Sequence, residues 1–105
     1  MENLSTAKIA QVILMSRELG RAEGELRGLI DQMTEDEQAE LVAVMWIGRG
    51  SFEPEEYAEA VQTALSEATT PCADYLIGTP HLSENLENGL EALGISSSDE
   101  ENALF

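Results

Sequence analysis

Positive charge is the scarcest commodity in this chain. Five lysines and arginines stand against 21 aspartates and glutamates, a formal net charge of -16 over 105 residues. All five cations, Lys8, Arg17, Arg21, Arg27 and Arg49, lie in the first half, and none follows Arg49. Such a surface repels phosphate backbones and anionic lipid, so neither direct nucleic-acid binding nor membrane binding is expected. It attracts basic protein partners, and the same excess of acid also serves solubility.

Cysteine and histidine are nearly absent as well, with Cys72 and His81 the single copies. One cysteine excludes an intrachain disulfide and a secreted, disulfide-built scaffold. Together the two cannot supply the His/Cys set of a structural zinc site. The order His81-x-x-Glu84 is the reverse of the Glu-x-x-His pattern of di-iron helices, and it occurs once. Asp31 is not followed by the spacing or the glycine of a calcium loop. The acids Glu35, Asp36, Glu37 and Glu40 read as a solvated helix start rather than a cation site. No metal and no cofactor is therefore expected. Cys72 near a helix start could in principle be activated, but His81, its nearest base in sequence, lies beyond the Gly78 break. Cys72 reads as a small half-buried thiol, and no catalytic set is assigned.

Long apolar runs are missing too. No stretch reaches the roughly 18 to 20 apolar residues of a membrane span. The run Ile9–Met15 is broken by Gln11 and lacks a signal-peptide cleavage pattern, so the cytoplasm is the expected location.

Proline does not occur before Pro54, and no segment alternates with period two, so what is present is helical periodicity. The spacing predicts an all-α, compact single-domain bundle of five or six helices over residues 1–94, followed by a disordered acidic tail over 95–105. The first helix, Thr6–Leu19, takes Ser5 as N-cap and Gly20 as its stop. Its buried stripe is Ile9, Val12, Ile13 and Ser16, and Leu14 and Met15 widen that face enough to leave a symmetric homodimer open. A polar joint, Gly20–Gly24, leads to a second helix, Glu25–Met33, burying Leu26, Leu29, Ile30 and Met33. Thr34 and Glu37 form a capping-box pattern that starts a third helix, Glu35–Ile47. Its stretch Leu41–Ile47 is apolar all round, which marks the central helix. A fourth, Pro54–Ala68, carries Tyr57, Val61, Ala64, Leu65 and Ala68. A short fifth, Pro71–Ile77, buries Tyr75 and Leu76. Thr79-Pro80 caps a sixth that ends at Leu93 with Gly94 as its stop. Leu82, Leu86, Leu90 and Leu93 line it, and Gly89 permits close approach of a neighbouring helix.

Two glycine-ended loops remain as the candidate ligand or partner surface. The first holds Trp46, Gly48, Arg49 and Gly50. The second holds Tyr75, Gly78, Thr79, Pro80 and His81. Arg49 can hold a carboxylate such as Asp74, bond the last carbonyls of its own helix, or await an anionic ligand. Gly48-Arg49-Gly50 lacks the preceding strand of a phosphate-binding loop.

These same stretches carry a resemblance. Asp36–Ala43, running into Met45-Trp46-Ile47-Gly48-Arg49-Gly50 and Phe52, then Tyr75-Leu76-Ile77-Gly78-Thr79-Pro80 with Leu82, Leu86, Glu87, Gly89 and Leu90, resemble a bacterial family of short proteins known only as a domain of unknown function. The similarity covers Leu26 to Gly94. It implies an intact helical domain and brings no activity. The chain departs from the family pattern in its short joint after the first helix, and at Ser51, Tyr57 and His81, where an aspartate, a tryptophan and an apolar residue are usual.

Three functions follow as alternatives. The leading one is a non-enzymatic acidic module that binds a basic protein. The second is a binder of a small anionic ligand, or an unrecognised enzyme, using the two loops. The third is a nucleic-acid mimic.

Overall fold

The structure, a computed structural model, describes residues 3–67 and 70–95. Six α-helices occur among the described residues: α1 Thr6–Ser16, α2 Leu19–Asp31, α3 Glu35–Arg49, α4 Tyr57–Ser66, α5 Cys72–Ile77 and α6 Leu82–Ala92. A single 3-10 turn, Pro54–Glu56, leads into α4. No strand occurs among them. The all-α bundle is as expected. The expected tail at 96–105 and the fourth-helix end at Ala68 lie outside the described residues.

Helix α3 is the axis of the bundle. It packs on α6, α4 and α5, while α1 closes against α2 and α6, and α2 against α5. Burial runs around its whole circumference: Leu41, Ala43, Val44 and Met45 are fully buried, with Ala39, Val42 and Ile47 nearly so. Its start is the expected capping box. The Glu37 amide donates to Thr34 Oγ1 at 3.1 Å, and the Thr34 amide donates to Glu37 Oε1 at 3.0 Å. Its end is a left-handed Gly50, with the Ser51 amide donating to the Trp46 carbonyl at 2.9 Å and the Gly50 amide to Ile47 at 3.1 Å. That is the paired bonding of a Schellman stop. The same motif ends α6, where the amides of Gly94 and Ile95 donate to Glu91 and Leu90. Ile95 packs back onto the core just past the boundary drawn at 94.

Where α3 crosses α6 the two backbones touch. A Cβ on Gly48 would stand 1.6 Å from the Asn85 carbonyl oxygen, and one on Gly89 would stand 2.1 Å from that of Val44. The close approach expected at Gly89 is therefore present. Gly48 is its counterpart on α3, inside the helix rather than ending it.

The boundaries that depart furthest from the sequence expectation lie at α1, α2 and α6. Helix α1 stops at Ser16, where the Arg17 amide closes on Ile13 and the Glu18 amide on Met15. Helix α2 then begins at Leu19 and runs straight through Gly20 and Gly24. Each interior glycine costs a helix about 1 kcal/mol relative to alanine. The packing of Leu19, Leu26 and Ile30 on the core outweighs that cost. At α6 the N-cap is His81, not Thr79-Pro80. His81 sits in the left-handed region (φ 56°) and makes no side-chain cap bond. Thr79 instead donates its hydroxyl to the Tyr75 carbonyl at 2.8 Å, finishing α5.

The acidic start of α3 is solvated at Glu35 and Asp36, as expected, but not at Glu37 and Glu40. Glu37 and Glu40 are 7% and 5% exposed. Both carboxylates are satisfied across the fold. Glu37 Oε2 accepts from Lys8 Nζ at 2.6 Å. Glu40 Oε1 accepts from the Leu4 amide at 2.7 Å and the Asn3 amide at 3.1 Å. A carboxylate this buried holds its charge only with such donors. The two acids thus fasten the N-terminal segment and α1 to the central helix. The Lys8 ammonium and the Thr34 amide hold the Glu37 carboxyl below its ordinary pKa.

Candidate functional site

A groove of about 730 Å³ runs along one side of α3. Its floor is the stripe Glu35, Gln38, Ala39, Val42 and Trp46, residues that share a face at helical spacing. One wall is Ala64 and Leu65 of α4. The other is Cys72 and Tyr75 of α5. Ala39 and Ala64 are small side chains, both nearly buried in this lining. Glu35, Glu67 and Thr70 are exposed at the rim, and no lysine or arginine lines the groove. The site therefore couples a floor that is apolar at Ala39, Val42 and Trp46 to a mouth that carries two carboxylates, Glu35 and Glu67.

One end of the groove is closed by the aromatic members of the two loop motifs. Trp46 Nε1 donates to the Tyr75 hydroxyl at 2.8 Å. Phe52 stacks on the far side of Trp46, with ring centroids 5.6 Å apart and planes inclined by 23°. Such a pair holds the indole in one orientation. Tyr75 was expected to be buried by its helix. It is 36% exposed, and Leu76 beside it is the buried residue. A helix of six residues offers the core only one face, and Ala73 and Leu76 occupy it.

The remaining loop residues are placed elsewhere. Arg49 is exposed and donates from Nε to Ser51 Oγ at 3.1 Å. The carboxylate suggested for it, Asp74, is held by Arg27 of α2. Of the five cations, Arg49 is the one that makes no ion pair among the described residues, the others meeting Glu37, Glu87, Glu18 and Asp74. Gly48 and Gly50 serve packing and helix termination. Gly78 ends α5. Thr79, Pro80 and His81 form the turn into α6, with the Glu84 carboxylate 3.9 Å from His81 Nδ1. None of Arg49, Thr79, Pro80 and His81 lines the groove. The two motifs thus meet through Trp46 and Tyr75, not through their polar ends.

Cys72 lies in the groove wall, half-buried, with its thiol 4.0 Å from the Gln38 carbonyl oxygen. Burial, aided by the negative charge of Asp31, pushes its pKa up to about 12. A thiol so protonated is a poor nucleophile at neutral pH. Among the described residues no three His, Cys, Asp or Glu side chains come together as a metal site. No helix among them is long and apolar enough to cross a membrane.

Sequence reasoning missed most of the groove. Val42, Ala64 and Leu65 were read as core, while Gln38, Ala39 and Glu67 drew no structural reading of their own.

Fold and site define a small acidic helical domain with an open, acid-rimmed groove. The chain belongs to the family described as "Protein of unknown function (DUF3775)", whose model matches residues 23–95. That match takes in α2 from Glu23 onward and all of α3 to α6, with every residue that lines the groove. No curated protein and no solved structure matches the chain.

Proposed function

We propose that this protein is a non-enzymatic, cytoplasmic interaction module that binds a basic protein partner through the groove between α3, α4 and α5. The observation that carries this is the pairing of an apolar floor with a rim of carboxylates and no cation. Interfaces with a buried apolar centre and a charged rim draw affinity from the first and partner choice from the second. The overall charge of -16 steers basic partners toward the surface in general. The raised Cys72 pKa argues against thiol chemistry in the groove.

The test is affinity capture with the full chain and with the double variant Glu35→Lys, Glu67→Lys, its helicity checked by circular dichroism. The wild type is expected to retain a basic polypeptide that is released as salt rises, and the variant to lose it. Equal capture by both chains would reject the groove as the binding site.

A second function, capture of a small anion, is favoured by Arg49, which has no carboxylate partner among the described residues. It predicts that phosphate or citrate raises the melting temperature of the wild type but not of Arg49→Ala. Mimicry of nucleic acid makes a different forecast, that duplex DNA competes for the captured partner.

A further inference from the structure

We infer that the segment received by the groove is an amphipathic α-helix with leucine-sized side chains on one face and lysines or arginines along its edges. This rests on the proposed binding function and specifies its partner.

Three observations point to a helix. The floor stripe runs along α3 from Glu35 to Trp46, a rise of about 17 Å at helical pitch. A helix of three turns has the same length. Sunk to half its diameter, such a helix displaces about 650–950 Å³, the same order as the groove's 730 Å³.

The second observation concerns the backbone. The floor and most of the walls are helix faces, and no strand edge that could pair with an incoming backbone occurs among the described residues. An extended peptide laid on such a floor would bury its own amides and carbonyls without partners. A helix brings them already paired, leaving only side chains to fit.

The third is charge. Glu35 stands at one end of the stripe and Glu67 on the α4 side, both exposed. Acids thus stand at one end of the floor and along its α4 side. Cations on an inserted helix would meet them while its apolar face lies over Ala39, Val42 and Trp46.

The sole tryptophan, Trp46, lies in the floor and reports occupancy directly. The experiment titrates the full chain with a capped peptide of about twelve residues, leucines at i, i+3, i+4 and i+7 with lysines between them, and follows Trp46 fluorescence. Two controls share its length: one with glutamates in place of the lysines, one with a central proline that breaks the helix. The lysine peptide is expected to shift the emission saturably and to bind at least about tenfold more tightly than either control. Glu67→Lys, an exposed change, is expected to weaken it, and Glu35→Gln to do so less.

Equal affinity of the proline control overturns the helix and leaves the binding groove standing. Loss of all peptide binding, with capture of a basic protein still abolished by Glu35→Lys, Glu67→Lys, overturns the helix likewise. If capture is also indifferent to that reversal, the proposed function falls with it. A chain that sediments as a dimer and gives up the dimer on binding peptide would show a second copy to be the occupant, and would overturn the inference.

Discussion

Replacing Gly48 by alanine adds one methyl group at the point where α3 and α6 touch. The new Cβ would lie 1.6 Å from the Asn85 carbonyl oxygen and 2.7 Å from the Gly89 amide nitrogen. Ordinary contact begins at 3.4 Å, so the helices must separate locally by roughly 1.8 Å. Neither obstacle is a flexible side chain that could swing away. Overpacking of this kind typically costs 1–3 kcal/mol, and a backbone clash belongs at about the upper end. The helix propensity of alanine over glycine returns about 1 kcal/mol. The net loss is therefore about 2 kcal/mol, a sizeable share of the roughly 5–15 kcal/mol that holds a domain together. The melting temperature should fall by about 10 °C. Gly24→Ala is the matched control. Gly24 also sits inside a helix, but a Cβ there meets nothing within 4 Å. It should gain up to about 1 kcal/mol and melt about 4 °C higher. Urea denaturation followed by circular dichroism measures both. Opposite signs are expected from the same chemical change. A Gly48→Ala protein as stable as wild type would refute the α3–α6 backbone contact, and with it the placement of the central helix.

Three further outcomes follow from the buried acids and the thiol. Glu40→Ala removes the acceptor of the Leu4 and Asn3 amides, and the Leu4 amide is buried. Stability should drop by about 1–3 kcal/mol, with faster hydrogen exchange at Leu4. Glu37 has a folded pKa below its ordinary 4.5, so its contribution is complete above that value and is lost as pH falls through the lowered one. Acid titration of stability should therefore be flatter in Glu37→Gln than in wild type between pH 4.5 and the lowered value. Cys72, with its pKa near 12, should react with iodoacetamide at neutral pH far more slowly than a free thiol. Urea should restore the ordinary rate.

What was legible in the sequence was local bonding and periodicity. The Ser5 cap, the Thr34–Glu37 box and the all-round apolar run of α3 each depend on residues within a few positions of one another, and all three are present. Gly89 was legible because it interrupts a leucine stripe. Tertiary choices were not. The joint at Gly20–Gly24 follows from glycine propensity, yet the core contacts of Leu19 and Leu26 carry α2 through it. Glu37 and Glu40 look like solvated acids until Lys8 and the amides of Asn3 and Leu4 are brought across the fold to meet them. For the site, Trp46 and Tyr75 were singled out as members of two separate loops, and the fold joins them by a hydrogen bond. Arg49 and His81 drew notice for their chemistry, but both point to solvent. The groove itself is assembled from α3, α4 and α5, and spacing along one chain does not register a gap between helices.

Whether the acid acts as a diffuse surface or as the rim of one groove is decided by mapping. Nitrogen-15 amide shifts of the full chain, titrated with the lysine peptide at physiological salt, give that map. The predicted result is a compact set of shifted signals at Ala39, Val42, Ala64, Leu65 and Tyr75, together with the Trp46 indole. Shifts scattered over the acids of α2, α4 and α6, with the Trp46 indole unmoved, would contradict a binding groove.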